Sequence, residues 1–289
     1  MNRKQLLLLS LSAYLAFSDC EANAQSEKLS FKIGNPSGIK IVGSDTETHV
    51  GYFLSQLKQT NPQYEFSFFD ANVPRILAQM RQTDNTCFMA CLEDRSRLKY
   101  VYWTPYGLMP PPVVLINKAR AEKLKLAGTT LSLKDLVQIP DIIGSISLER
   151  SYGPQVDEIL KNSNGGNLQR NPQDFIAVNV LSMIAKGRVD YTIDHRSTLE
   201  VHSNLSTTDI AVFEIEEAKK EMVTYFACSR SEQGKKLITD VDELIRKNVN
   251  TAEYQKKIIE PLFSKNKSES YLRAWKAFAQ ERSKSSQIE

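Results

Sequence analysis

The sequence predicts an α/β protein made of two lobes that are joined by two extended segments. Between residues 28 and 92, apolar runs of strand length alternate with amphipathic helical stretches, which is typical of a parallel sheet with helical crossovers. A second series of this kind follows residue 117. Two extended runs of similar composition, Val113–Asn117 and residues 223–228, separate the two series from each other and from the C-terminal helices. A chain that leaves one lobe and returns to it in this way forms a hinge and a cleft.

Apolar spacing predicts the elements of the first lobe. They are a strand over residues 28–33, a helix over 51–59, a strand over 64–69, a helix over 73–81 and a strand over 86–92. Helical periodicity also predicts which side chains of these helices face the core: Phe53, Leu54, Leu57, Ile76, Leu77 and Met80.

Three consecutive prolines at residues 110–112 end the first series. The elements predicted after them are the extended run Val113–Asn117, a helix over 133–136, a strand over 142–147, a helix over 151–160, a loop over 162–172, a helix over 173–186 and a strand over 189–193. Pro154 suits the first turn of its helix, and Gly187 suits a C-terminal cap.

The C-terminal region is predicted to be helical. Amphipathic helices are expected over residues 233–247 and 251–263. In the tail, four large apolar residues recur at helical spacing and predict a docked helix followed by disorder: Tyr271, Leu272, Trp275 and Phe278. The expected division is lobe 1 over residues 25–112 and 223–265, lobe 2 over 113–222, and a C-terminal helix with a polar tail over 266–289.

Residues 1–24 have the features of a secretory signal peptide. Arg3 and Lys4 precede an apolar run over residues 6–17, and Ala22 and Ala24 supply the small residues of a cleavage site. The run is shorter than the roughly 20 residues that cross a bilayer, and no later stretch is long and apolar enough. We therefore expect cleavage after Ala24 and an exported, soluble mature protein.

Composition disfavours two classes of function. The formal net charge of +3 is too small to favour nucleic acid, because phosphate binding requires lysine and arginine clustered on one face. The histidines His49, His195 and His202 are scattered and have no cysteines at ligand spacing, so no metal site is predicted. No cofactor is predicted either.

The cysteines expected in the mature chain are Cys87, Cys91 and Cys228. In an oxidising compartment, an odd number of cysteines predicts one disulfide and one free, buried thiol. The alternative is that all of them pack as small hydrophobic residues.

A basic turn follows the strand over residues 86–92. In open α/β sheets, ligands bind beyond the carboxyl ends of the strands, so Arg95 or Arg97 is placed to contact a small anion. Trp103 and Tyr106 are candidates for an aromatic face at the same edge, and Tyr106 is favoured because it leads into the hinge. The alternatives are solvated surface charges for the arginines and core positions for the aromatic residues.

The second lobe offers further candidates for ligand contact. Ser151 and Tyr152 precede a helix, where free N–H groups favour an anion, although Ser151 is equally suited to be an ordinary N-cap. Asp194 and His195 follow an apolar strand at its carboxyl end. The weaker candidates, from the first strand end and the first helix, are Asn35 and Tyr52.

Several segments resemble a known family. They are PRILAQM at residues 74–80 with the strand and arginine turn after it, WTPY at 103–106, AKGRVD at 185–190, and YFACS at 225–229 followed by Gly234. Their order and spacing resemble the type II periplasmic solute-binding proteins, specifically the polar-amino-acid (family 3) receptors of ABC importers. The resemblance extends from about residue 29 to about residue 263. It implies that type II fold, a periplasmic location, a monomer, and an ABC permease or a membrane sensor as partner.

The sequence departs from this family's amino-acid clamp in two places. The family usually has a threonine three residues before the turn arginine, but Leu92 precedes Arg95 and Asp94 precedes Arg97 at that spacing. The position of its amino-group acceptor corresponds to His195, one place after an aspartate. Both departures disfavour an ordinary α-amino acid. Because an arginine binds any carboxylate bidentately, the expected ligand is small, polar, and anionic or amino-acid-like.

The resemblance also implies a disulfide. The family's topology places the return strand beside the third strand, which brings Cys228 to Cys87. Cys91 is the alternate partner, because even spacing predicts that it shares a strand face with Cys87.

The expected function is therefore capture of a small polar solute between two lobes, for uptake or sensing. An enzyme is the second hypothesis, because some relatives of this fold carry out dehydration. Its acid or base would have to be His195 with Asp194 or Glu149. The third hypothesis is a sensory or structural partner without a ligand, which the missing clamp suggests.

Overall fold

The computed structural model describes residues 28–36, 49–163, 167–171, 177–201, 209–218, 220–259 and 269–289. The expected signal peptide and its cleavage site lie outside these residues, and so does His202. None of the helices within these ranges has the length and apolar content that a membrane span requires.

Lobe 1 is built on a five-stranded sheet. Its strands are β1 (Leu29–Asn35), β2 (Tyr64–Asp70), β3 (Thr86–Leu92), β4 (Val101–Met109) and β11 (Met222–Ser229), in the order β2-β1-β3-β11-β4. β1 pairs in parallel with both β2 and β3, which confirms the predicted parallel series. The returning strand β11 is antiparallel to β3 and β4.

Helices cover both faces of this sheet. One face packs against α1 (His49–Thr60), α8 (Glu232–Asn248), α9 (Ala252–Tyr254) and α10 (Glu269–Arg282), and the other packs against α2 (Val73–Gln82). A π-helical turn over Gln255–Ile259 follows α9. The core positions predicted from helical periodicity are all buried: Phe53, Leu54, Leu57, Ile76, Leu77 and Met80.

Lobe 2 is built on a six-stranded sheet in the order β6-β10-β5-β9-β7-β8. Its strands are β5 (Val113–Asn117), β6 (Thr130–Leu131), β7 (Gly144–Ser147), β8 (Leu168–Asn171), β9 (Tyr191–Asp194) and β10 (Ile210–Ile215). Its helices are α3 (Lys118–Lys123), α4 (Leu133–Leu136), α5 (Pro154–Asn162), α6 (Ala177–Ala185) and α7 (Arg196–Val201).

Part of the segment predicted to be a loop is a strand. β8 lies within residues 162–172 and pairs in parallel with β7 at the edge of the sheet. Its two central residues, Gln169 and Arg170, are both polar and exposed. The strand therefore lacks the alternation of apolar and polar residues by which strands are predicted. Backbone pairing with β7, beginning with the bond from Gly144 N to Asn167 O (2.9 Å), holds it in place.

The chain crosses between the two sheets through short segments. The first crossing is residues 110–112, between β4 and β5, and the second lies between β10 and β11. The runs Val113–Asn117 and 223–228 each lie in one sheet and flank these crossings. Among the described residues, each cluster of buried apolar side chains lies within one lobe. The protein therefore has two cores with a hinge between them.

A disulfide joins Cys87 of β3 to Cys228 of β11, and Cys91 is free and buried. The expectation that Cys91 shares a strand face with Cys87 is wrong. Tyr225 pairs with Cys91 and Ala227 with Phe88, so β3 has one extra residue at a β-bulge. The bulge reverses the alternation, and Cys91 faces the α2 side of the sheet while Cys87 faces the α1 side.

The C-terminal segment corrects two expectations. On α10, Tyr271 and Trp275 are buried in the lobe 1 core as predicted, but Leu272 is exposed. Residues 283–289 are ordered against lobe 1 instead of disordered. The backbone groups of Glu289 and Trp103 exchange two hydrogen bonds of 3.1 Å each, which extends the sheet beyond its edge strand β4.

Candidate functional site

The turn after β3 carries two arginines that face different surroundings. It is a 3₁₀ helix over Arg95–Lys99, and the Asp94 carboxylate caps it by accepting a bond from Ser96 N (3.0 Å). Arg95 is exposed and forms ion pairs with Glu93 (3.5 Å) and Glu289 (3.0 Å). Arg97 is buried. Of the two predicted candidates, only Arg97 points toward lobe 2.

The guanidinium of Arg97 donates three hydrogen bonds. Its Nε donates to Asp94 Oδ2 (3.1 Å) and its Nη1 donates to Cys91 Sγ (3.3 Å), both within lobe 1. Its Nη2 donates to the carbonyl oxygen of Glu149 in lobe 2 (3.1 Å). The Glu149 carboxylate also lies 3.8 Å from Arg81 of lobe 1. The arginine predicted to bind an anion thus contacts groups of its own chain.

The end of β9 lies beside the first crossing, because Asp194 pairs with Val113. Asp194 accepts a bond from Arg150 Nη2 (2.7 Å) and another from the backbone N of His195 (2.8 Å). Burial alone would raise the pKa of the Asp194 carboxyl, but Arg150 lowers it below its usual range. Asp194 is therefore an ionised carboxylate that is already paired.

His195 is buried between Asp194 and the first crossing segment. Burial lowers the pKa of His195 to about 4, although Asp194 and a hydrogen bond to the Pro110 backbone act in the opposite direction. Its Nδ1 is buried and has no hydrogen-bond partner among the described residues. The imidazole is therefore neutral at neutral pH.

The start of α5 forms a third part of the site. Asp157, in the first turn, accepts bonds from the Ser151 hydroxyl and from Tyr152 N (2.7 Å). The predicted anion contacts at Ser151 and Tyr152 are thus occupied by this carboxylate. Gly153 has φ +96°, and a Cβ there would lie 2.7 Å from Met222 Sδ, so a glycine is required.

The remaining predicted residues are buried within lobe 1. Tyr106 and Tyr52 belong to the apolar core of lobe 1, where the Tyr106 ring meets Phe53 edge to face. Trp103 is buried in the α2-side core against Tyr225. Asn35 is buried at the end of β1 and donates to Asp70 Oδ1 (2.7 Å). We therefore leave Tyr52, Trp103 and Tyr106 out of the candidate site.

A cavity of about 370 Å³ lies between the lobes beside the second crossing. Leu92 and Glu93 of lobe 1 form one wall, and residues 152–156 at the start of α5 form another. Residues 216–218 and 220–223 close it from the side. Tyr152 and Met222 are among its apolar lining residues, and its charged ones are Glu93, Glu216, Glu217, Lys220 and Glu221.

Sequence reasoning missed Arg150, the partner of Asp194, and the interlobe contact of Glu149. Glu149 and Arg150 both follow the carboxyl end of β7. The rule that ligands bind beyond the carboxyl ends of strands, which identified Arg95 and Arg97 after β3, applies equally to them. It also missed Glu93 and Glu221, which give no periodic signal. Among the described residues, no cluster of histidine, cysteine, aspartate and glutamate side chains is suited to hold a metal ion.

Comparison with known proteins finds the fold in many solved structures. A putative L-cystine ABC transporter from Listeria monocytogenes has 16% identity and a TM-score of 0.60, with 85% of this chain and 100% of that chain covered. A histidine kinase sensor domain similar to periplasmic binding proteins has 10% identity and a TM-score of 0.59, with coverage of 79% and 94%. An ancestral amino acid-binding protein, a precursor of cyclohexadienyl dehydratase, has 14% identity and a TM-score of 0.57, with coverage of 81% and 95%.

No family model and no curated protein matches the sequence. The identities to the solved structures are low, so these matches identify the fold. The expected fold is confirmed: the chain has the type II periplasmic-binding-protein architecture of two α/β lobes joined by a double crossing.

Proposed function

We propose that this chain is an exported solute-binding protein that encloses a small polar, amino-acid-like solute between its lobes. The observation that carries the proposal is the cavity of about 370 Å³, to which both lobes and the second crossing contribute walls. A cavity of this size suits a small organic ligand. An L-cystine transporter and an ancestral amino acid-binding protein share the fold, which supports this ligand class.

The lining of the cavity offers partners for both charges of an amino acid. Apart from the N–H that Asp157 occupies, the backbone N–H groups of Gln155 and Val156 in the first turn of α5 have no carbonyl partner inside the helix, and these favour a carboxylate. Glu221 supplies negative charge for an ammonium group, and Tyr152 and Met222 supply apolar contact. This combination favours an amino-acid-like ligand over the purely anionic one that Arg97 suggested, because the donors of Arg97 have partners within the chain.

The same contacts favour binding over catalysis. A dehydratase-like enzyme would use His195 with Asp194 or Glu149 as acid and base. Asp194 is paired with Arg150, and the ring of His195 is neutral and buried. The Glu149 carboxylate lies beside Arg81 instead. None of these groups is placed to exchange a proton with a solute in the cavity.

Further parts of the proposal concern location, partners and lobe boundaries. We propose that the N-terminal segment directs export to the periplasm and is removed after Ala24. The partner is an ABC permease or a membrane sensor, because the fold occurs in a putative ABC transporter protein and in the sensor domain of a histidine kinase. The protein acts as a monomer, and its lobes divide near residues 112 and 222.

Thermal melting with a panel of amino acids, short peptides and organic acids tests the proposal. At least one amino-acid-like compound is expected to raise the melting temperature of the purified protein in a saturable way. Glu221→Gln is expected to weaken that shift, because it removes a carboxylate from the cavity lining. Glu214→Gln makes the same chemical change at an exposed position of β10 and is expected to leave it intact. A panel without any saturable shift would contradict the proposal.

A further inference from the structure

Glu149 of lobe 2 is held by lobe 1 through two of its groups. Its backbone oxygen accepts a hydrogen bond from Arg97 Nη2 (3.1 Å), and its carboxylate lies 3.8 Å from Arg81. The Arg81 pair is weak, because each side chain is 44% exposed and water screens the charges. The bond from buried Arg97 is the stronger contact, because its donor is charged and shielded from water.

The backbone of Glu149 has a conformation that few residues of its kind adopt. Its φ is +59°, in the left-handed region, where a side chain with a Cβ is disfavoured. Glu149 is in the turn after β7, and the bond from Leu148 N to Asn171 O (3.2 Å) holds that turn to lobe 2. The turn thus presents the Glu149 carbonyl to Arg97 at the cost of local strain.

We infer that Arg97 and the Glu149 carbonyl form a latch that holds the two lobes together and sets how far the cleft closes. In this role, Arg97 positions lobe 2 relative to lobe 1 and does not itself contact the solute. The latch needs no group from outside the chain, so it acts in the free protein and limits the opening through which a solute enters.

Each half of the latch is anchored within its own lobe, which suits repeated opening and closing. Arg97 keeps its bonds to Asp94 and Cys91 when the lobes separate, so its charge stays paired. The turn at Glu149 keeps its bond to β8. Opening therefore breaks an interlobe contact without unfolding either lobe.

The latch is tested by measuring the distance between the lobes in the full-length mature protein without added solute. Spin labels are attached to cysteines introduced at two exposed positions, Lys58→Cys in lobe 1 and Lys161→Cys in lobe 2. Pulsed electron paramagnetic resonance then gives the distance between the labels. The native free thiol of Cys91 is buried and is therefore protected from labelling. Arg97→Gln is expected to move the distance distribution to longer values. Arg95→Gln is the matched control and should leave it unchanged, because the ion pairs of Arg95 stay within lobe 1.

Two variants approach the latch from lobe 2, in case Arg97→Gln fails to fold. Glu149→Pro is expected to open the lobes, because proline cannot adopt a positive φ and the carbonyl is redirected. Glu149→Gly should stay closed, because glycine keeps both the carbonyl and the φ while removing only the carboxylate. Equal distance distributions for wild type, Arg97→Gln and Glu149→Pro would overturn the inference. Because no solute is used, this result is independent of the proposed ligand.

Discussion

Two aspartate–arginine pairs, one in each lobe, differ in how completely they are buried. In lobe 1, Asp242 and Arg282 are fully buried, and Asp242 also accepts bonds from Thr104 Oγ1 (2.9 Å) and Arg246 Nε (3.1 Å). In lobe 2, the Asp194 and Arg150 side chains are 10% and 29% exposed, and Asp194 pairs with Val113 beside the first crossing. The first pair is sealed inside a core, whereas the second can exchange partners with water.

The lobe 1 pair holds the C-terminal segment in place. Arg282 also donates to Pro105 O (2.8 Å) and Thr104 Oγ1 (2.8 Å) of β4, so α8, α10 and β4 share one network. Gln287 N donates to Asp242 Oδ1 (3.2 Å), so the residues after α10 are bonded to the same network. This pair is therefore structural, whereas the lobe 2 pair lies beside the first crossing, because Asp194 pairs with Val113 in the sheet.

The largest effect is expected from Asp242→Asn. Removing one charge of a buried pair leaves Arg282 uncompensated, and such changes cost about 3–5 kcal/mol. The free energy of unfolding, measured by denaturant titration, is expected to fall by this amount. Glu243→Gln, at the next position of α8, removes an exposed ion pair with Lys247 and should cost far less, because water screens these charges. Similar losses for the two variants would show that the network is not structural.

The sequence predicted lobe 1 well because its signals are local. The strand and helix periods of residues 28–92 correspond to β1, α1, β2, α2 and β3 within a few residues. Asp242, Arg282 and Thr104 lie far apart in the chain, and no local pattern shows that they meet. The bulge in β3 depends on the register with β11, so the face of Cys91 could not be read from spacing.

The site was less predictable than the fold. Reasoning from strand ends and helix starts identified Arg97, Asp194, Ser151 and Tyr152, which lie at the interlobe contact, beside the first crossing or at the start of α5. It could not show that other groups of the chain already form hydrogen bonds with these residues, because several of those groups lie in turns of irregular conformation. The aromatic candidates Trp103 and Tyr106 are core residues of β4, and burial cannot be judged from their type alone.

The next largest effect is expected from lowering the pH. It arises at His195, the residue after Asp194 of the lobe 2 pair. The pKa of His195 is about 4 in the folded protein and about 6.5 in an unfolded chain, so between these values the unfolded state binds more protons. The contribution of neutral His195 to the free energy of unfolding is therefore fully present above pH 6.5 and is lost as the pH falls toward 4. The loss is on the order of 3 kcal/mol.

The measurement is denaturant unfolding at several pH values for wild type and His195→Gln. The variant has no imidazole to protonate, so the difference between the two curves isolates this residue. The wild type is expected to lose more stability than the variant between pH 6.5 and 4. Parallel curves would indicate that His195 is not buried as a neutral group.

The smallest effect is expected from Asp194→Asn, which makes in lobe 2 the change that Asp242→Asn makes in lobe 1. The Arg150 side chain is 29% exposed, so water can stabilise its charge when the carboxylate is lost. Asparagine also keeps an oxygen that can accept the bond from His195 N. A loss of about 1–2 kcal/mol at neutral pH is expected from denaturant titration. If Asp194→Asn proves as costly as Asp242→Asn, the lobe 2 pair is as sealed as the lobe 1 pair, and the contrast between them fails.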